Sequence, residues 1–297
     1  MTLLEDIFCA IDDFCKSFDN KSHYFLASNS DKKRKKKCRI CLSEIMTILV
    51  LFHMSGYRTF KDFYIGCVLK DLRKYFPNMI SYPRFVQLIE HALMPLTIFF
   101  TGLRGKETGV YFVDSTTIEV CHIKREKRHK VFKGLATKSK GSMGWFFGFK
   151  LHLVINNLGE IMSAKLTTAN TDDRKPVPDL VSSLNGWLFG DKGYLGKNLM
   201  EKLKEQSIDI FTKVKRNMKK RMMTIGQKFY LSKRGLIETV NDQLKNLCQI
   251  EHTRHRKPAN AFANLIAGLI AYCFRPRKPS IRISNKLQQE YMALTSN

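Results

Sequence analysis

The sequence predicts a mixed α/β sheet with flanking helices, preceded by an all-helical N-terminal domain. Three observations carry this. Apolar residues recur at helical spacing up to about residue 107, β-type patterning begins at Gly109, and strands and helices then alternate to about residue 275. The expected division is therefore 1–107 helical, 108–275 α/β, and a basic tail over 276–297.

In the helical part, Leu3, Leu4, Ile7, Phe8, Ile11, Phe14 and Cys15 fall at i, i+3 and i+4, one apolar face of a helix. An unbroken basic run, residues 32–37 (KKRKKK), reads as a solvated linker. Ser43 is placed to cap an apolar helix over 44–54 that Gly56 ends, with further helical pieces near 59–69 and 82–91. Beyond Gly109, residues 110–114 (VYFVD) are β-rich, and Asp114 is expected to end that strand. Residues 147–155 alternate apolar and polar, 156–159 (NNLG) make a turn, and 160–169 return as the second strand of a hairpin. A helix over 176–184 leads to a short apolar strand, 187–189, running into Gly190 and Asp191. A helix over 197–206, a strand over 208–214 and helices over 232–250 and 259–274 complete the order.

Charge narrows the function classes. The 297 residues hold 51 Lys and Arg against 26 Asp and Glu, a formal net of +25. The excess is concentrated: residues 124–140 carry eight basic side chains against Glu126 alone, and no acid occurs between Asp209 and Glu238 or between Glu251 and Glu290. Such stretches repel one another unless a polyanion neutralises them, so a nucleic-acid partner is expected. Three short helices in basic surroundings suit a helix-turn-helix-like DNA reader and, equally, a plain helical bundle.

No membrane partner is expected. The chain lacks a compact amphipathic anchor, and its longest apolar stretch, 261–274, falls short of the ~20 residues a bilayer span needs. The acids in MTLLEDIFCAIDDF do not suit a signal peptide, and the eight scattered cysteines suit buried thiols in a reducing cytoplasm. Cys38 and Cys41 form the one close pair, with no second pair at zinc spacing.

Three acids stand out. Asp114 follows an apolar β-rich run and precedes Ser115, Thr116 and Thr117; Asp191 sits between an apolar strand and DKGY, with glycines on both sides. On a helix from Ser232, Arg234, Glu238, Asn241 and Lys245 share one stripe, while Leu236, Ile237, Val240, Leu244 and Leu247 form an apolar one. Singly, each acid has a plain structural reading: a turn cap for the aspartates, an i,i+4 surface pair worth ~0.3–0.5 kcal/mol for Glu238. Jointly, in so basic a chain, they suit phosphodiester cleavage by paired Mg²⁺ or Mn²⁺ ions ~3.5–4 Å apart. Water as nucleophile gives hydrolysis, and a DNA 3′-OH gives strand transfer. Other candidates fit less well. Glu119 would face the opposite side of its strand, Asp242 is a neighbour one turn on, and Asp172 and Asp173 read as helix caps. His122, His129 and His152 read as DNA-facing or structural, and His252 with His255 as solvated or phosphate-facing.

The chain resembles the DDE transposases of bacterial insertion sequences, RNase H-like metal-dependent recombinases. Asp114, Asp191 and Glu238, separated by 77 and 47 residues, follow the D-D-E order. Arg234, Glu238 and Lys245 fit the family's Y-(2)-R-(3)-E-(6)-K signature, whereas Leu231 stands where tyrosine is expected and Tyr230 is one place early. Residues 113–116 (VDST), 148–152 (GFKLH), 159–161 (GEI), 172–174 (DDR) and 190–194 (GDKGY) are similar to family segments, as are 42–45 (LSEI) and 57–61 (YRTFK).

The resemblance implies an RNase H-like catalytic domain holding two Mg²⁺ or Mn²⁺ ions on Asp114, Asp191 and Glu238. It implies phosphate contacts from Arg234 and Lys245; Lys192, Tyr194, Lys124, Arg125, Lys215 and Arg216 complete the expected DNA-binding set. Double-stranded DNA is the implied partner, as element ends and as target, with a homo-oligomer acting on it in a bacterial cytoplasm, on the nucleoid. The alternatives are an RNase H-like nuclease that cuts without joining and a DNA-binding protein that does not catalyse.

Overall fold

A computed structural model describes residues 3–26, 39–141, 144–213, 222–251 and 255–281. The 32–37 basic run, Cys38, Lys215, Arg216, His252 and the tail beyond 281 lie outside the described residues. The chain forms two compact units, one of Met1–Leu103 with Leu244–Arg275 and one of Arg104–Gln243 with Pro276–Asn297. This departs from the expected boundaries, because residues 244–275 group with the N-terminal helices rather than with the sheet.

The helical unit comprises α1 (Leu3–Leu26), α2 (Leu42–Phe52), α3 (Phe60–Phe63) continuing as a π-helix (Tyr64–Asp71), α4 (Tyr82–Gly102) and, much later in the chain, α9 (Pro258–Cys273). Ile7, Ile11 and Cys15 of α1 pack with Ile45, Ile48 and Leu49 of α2 and with Phe85, Ala92 and Leu96 of α4. The reason residues 244–275 group here is steric. Ala263, Ala267, Ile270 and Ala271 of α9 enter this same core, where small side chains allow close approach to α4 and α2. Gly268 shows how close the packing is: a β-carbon there would lie 2.5 Å from Ile250 Cγ2.

Two expectations are corrected in this unit. Helix α2 begins at Leu42 behind Cys41, whose amide donates to Glu44 Oε2 at 2.8 Å, and Ser43 instead donates to Asp12 at 2.7 Å. The piece expected over 82–91 runs on to Gly102 through Pro95. At 21 residues α4 is the one described helix long and apolar enough to cross a membrane. It behaves as a core helix, with Phe85, Leu88, Ile89, Ala92, Leu96 and Phe99 buried.

The second unit is built on a six-stranded mixed sheet: β1 (Val110–Cys121), β2 (Thr137–Gly141), β3 (Gly144–Asn156), β4 (Ile161–Thr168), β5 (Gly186–Gly190) and β6 (Ile208–Thr212). Strands β2 and β4 share one edge of β3, β3 pairs antiparallel with β1, and β1, β5 and β6 run parallel. The β3–β4 hairpin turns at Asn156–Gly159 as the sequence predicts, with Gly159 at φ 72°. A side chain at Gly159 would also strike the Pro279 carbonyl.

Strand β1 does not end at Asp114. Thr116, Thr117, Ile118 and Val120 are β-branched, and pairing with β3 continues to a bulge between Glu119 and Cys121. One face of the sheet carries Tyr111, Val113, Leu188 and Ile210 against α5 (Val177–Leu180) and α6 (Lys197–Glu205). The other carries Phe112, Phe189 and Phe211 in a row, with ring centroids 5.6 Å (tilted) and 5.4 Å (stacked) apart. Tyr230 of α7 (Ile225–Ser232) closes over Phe189, and α8 (Gly235–Asp242) packs on β1.

Candidate active site

The parallel ladder between β1 and β5 places the two aspartates. Its last pair is Phe112 with Phe189, and both Asp114 and Asp191 lie two residues further along. They therefore occupy matching positions on one face at the carboxyl end of neighbouring strands, where open α/β sheets expose their binding crevice. Asp114 remains within a strand and is half-buried, whereas Asp191 leaves β5 in an extended conformation and is exposed.

Helix α8 supplies the third acid and a fixed donor. Ile237, Val240 and Asn241 are buried, whereas Glu238 is exposed on the neighbouring face. Asn241 Nδ2 donates to Asp114 Oδ2 at 3.1 Å, and Asn241 is only 7% exposed. Glu238 accepts from Arg234 Nη2 at 2.6 Å in the expected i,i+4 pair. Burial pushes the Asp114 carboxyl up to about 6; Arg234 opposes the rise, and Glu238 and Asp173 add to it. Asp114 and Glu238 are thus within each other's field.

Tyr194 and Asp173 complete the surroundings. Tyr194, expected to contact DNA, is 3% exposed and forms a wall of the site. Its ring lies against Gly190 and Val113, so the apolar ring is absorbed by the core beneath Asp191. Burial, then the carboxylates of Asp114 and Asp173, hold its hydroxyl well above the usual phenol range and keep it protonated. Asp173, expected as a cap, accepts from Lys150 Nζ at 3.0 Å, and that ammonium also donates to the Thr171 carbonyl. Neither aspartate caps α5, which begins behind Pro176; Asp172 accepts from the Arg174 amide and guanidinium in a local turn and is held down at about 2 by those bonds. His152 is 1% exposed, bonded to Thr167, and lowered to about 4 by burial, a structural rather than a DNA-facing residue.

The other predicted contacts divide. Lys192 is exposed in the 3₁₀ turn (Lys192–Tyr194) that follows Asp191. Lys124 and Arg125 are exposed in a 3₁₀ turn (Ile123–Arg128). Lys245 falls in the helical unit, in a π-helical turn (Gln243–Leu247), where it pairs with Glu251 at 3.2 Å. The straight helix expected over 232–250 is in fact α8 and this π turn, with α7 ending at Ser232, so α-spacing from Glu238 ends at Gln243. Leu247, expected on the apolar stripe, is 47% exposed as a result. The sequence offers no site role for Lys150, reads Asp173 only as a cap, and places Asn241 on the Glu238 stripe without a partner. Asn241 had a signal, its place three residues beyond Glu238.

Oxygen donors dominate the site, a set that suits a hard divalent cation. Among the described residues no three acids, histidines or cysteines stand in common metal-ligating reach, and Glu238 is turned to Arg234.

Comparison with known proteins gives one match: a family model described as the transposase DDE domain covers residues 104–258. No curated protein and no solved structure matches the chain.

Proposed function

The chain belongs to the transposase DDE-domain family, and from that premise we propose that it binds the terminal inverted repeats of its own element and carries out metal-dependent DNA cleavage and strand transfer. The supporting observation is the matched position of Asp114 and Asp191 at the end of the β1–β5 ladder, with Glu238 in the field of Asp114. The strand order, with β1 between antiparallel β3 and parallel β5, supports an RNase H-like reading of the sheet.

The proposed roles follow from placement. Asp114, Asp191 and Glu238 would hold divalent ions, Mg²⁺ or Mn²⁺ and two in number, which requires Glu238 to be freed from Arg234. When bound, such ions activate the attacking hydroxyl and stabilise the leaving oxygen. Asn241 fixes the Asp114 carboxylate through its amide. Arg234, once released, and exposed Lys192 contact phosphates beside the cut. The Lys150–Asp173 pair keeps that fourth acid neutralised next to Asp114. Lys124 and Arg125 contact DNA further out, and the protein works in the cytoplasm as a homo-oligomer on paired element ends.

The test is incubation of purified protein with donor DNA carrying the element ends, Mg²⁺ and a target plasmid. Joined products are expected, and EDTA abolishes them. Asp114→Asn, Asp191→Asn and Glu238→Gln should each lower cleavage at least a hundredfold while leaving DNA binding intact. Cleavage without joining would instead assign a nuclease, and activity surviving all three substitutions would overturn the site.

A further inference from the structure

A basic cleft of about 490 Å³ lies beside these acids, lined by Asp172, Arg174, Lys175, Lys197, Asn198 and Lys202 among others. Two loops of the site build it. Arg174 follows Asp173 directly, and its guanidinium is held by Asp172 at 3.0 and 2.6 Å and donates to the Leu195 carbonyl at 3.3 Å. Leu195 lies four residues beyond Asp191. Arg174 thus ties the loop carrying Asp173 to the loop following Asp191.

With Arg174 neutralised by Asp172, the cleft's charge rests on three lysines. Lys175, Lys197 and Lys202 are all exposed. Lys197 reaches Glu201 only at 3.9 Å, and among the described residues neither Lys175 nor Lys202 forms an ion pair. Three lysines lining one open cleft give it a local excess of positive charge that favours an anion. Four residues of extended chain span at most about 14 Å, so the Leu195 carbonyl that Arg174 holds lies within about four phosphates of Asp191, given a strand spacing of about 3.4 Å.

We propose that this cleft seats backbone phosphate of the DNA strand running past Asp114 and Asp191, with Lys175, Lys197 and Lys202 as its ligands and Arg174 as the residue that positions them. The assignment rests on the transposase reading and adds a phosphate site beside the loop that follows Asp191.

The test uses the full chain in EDTA, so that binding to a 30-base-pair duplex (about three helical turns) is read without cleavage. Affinity is measured across a salt series for the wild type, for a Lys175→Gln, Lys197→Gln, Lys202→Gln triple variant, and for the corresponding triple arginine variant. The glutamine variant should bind at least tenfold more weakly, with a slope of log affinity against log salt shallower by about 2. The arginine variant should match the wild type. A second arm measures inorganic phosphate by calorimetry. Phosphate binding lost in the glutamine variant, with an unchanged DNA slope, would assign the cleft to a free anion and overturn the proposal. An unchanged slope with a wild type that binds DNA removes the cleft alone. A wild type that binds no DNA removes the transposase reading and the cleft with it.

Discussion

Asn241 donates its side-chain amide to Asp114 Oδ2 at 3.1 Å, across 127 residues of sequence. The bond ties the one acid that lies within a strand to the helix bearing Glu238, so two of the three acids are positioned by a single contact. Asn241 is nearly buried, and its removal would leave a half-buried carboxylate without that donor. Asn241→Ala should lower stability by about 1–2 kcal/mol, read as a lower thermal midpoint, and should slow cleavage. Asn241→Gln, which keeps the amide but displaces it, should recover less activity than stability.

Asp114 itself should be destabilising when ionised. Its folded-state value is near 6 against 3.8 for the unfolded chain, so the folded protein binds the proton more tightly. Between about pH 4 and 6 the native state carries more protons than the unfolded state, and stability falls as pH rises through that window. Asp114→Asn should therefore stabilise the metal-free protein at pH 7, by roughly 1–3 kcal/mol, while abolishing cleavage. Equal midpoints for variant and wild type at pH 7 would remove the argument.

The buried histidines act in the opposite direction. Burial lowers His53, His152 and His255 each to about 4 from 6.5. The unfolded chain takes up protons below pH 6.5 that the native state refuses, so their contribution is intact above 6.5 and is lost as pH falls toward 4. Chemical denaturation at pH 7, 6, 5 and 4.5 should show stability declining along that series, more gently for His152→Asn than for the wild type.

Gly148 carries a steric requirement rather than a conformational one. A β-carbon at this position of β3 would lie 2.1 Å from the Ile118 carbonyl oxygen, beside the bulge in β1. Backbone cannot yield as a flexible side chain can. Gly148→Ala should cost about 1–3 kcal/mol, measurable by denaturant titration, with the loss concentrated in the sheet's amide-exchange protection.

Much of this was legible in the residues. The hairpin around Asn156–Gly159, the strand before Asp191 and the helix over 197–206 follow from local periodicity and turn chemistry, and the structure places them within a residue or two. The strand β2 was not legible, because TKSKG has neither β-branched density nor apolar alternation and is a strand only through pairing with β3. Tyr194 looked like a surface contact because its neighbours are glycine and lysine; its ring is buried because it packs against Gly190 and Val113 in the core. Asp173 could not be separated from Asp172 by sequence, since one residue of backbone decides which carboxylate bonds Arg174 and which meets Lys150.

A fragment ending at residue 107 tests the interleaving of the two units. It would keep α1 to α4 but lack α9, whose Ala263, Ala267, Ile270 and Ala271 occupy their common core. Expressed alone it should show reduced helicity by circular dichroism and no cooperative melt. A single chain joining 1–103 to 244–275 through a short Gly/Ser linker should restore both.

The return of α9 to helices made some 160 residues earlier also sets an order of events on the ribosome. The sheet's strands emerge in one uninterrupted stretch and can pair as they appear, while α2 and α4 wait with apolar flanks open until the last helix is synthesised. A message cut short after residue 243 would therefore yield the sheet together with an unfinished helical core, a product for chaperones and proteases rather than a stable protein.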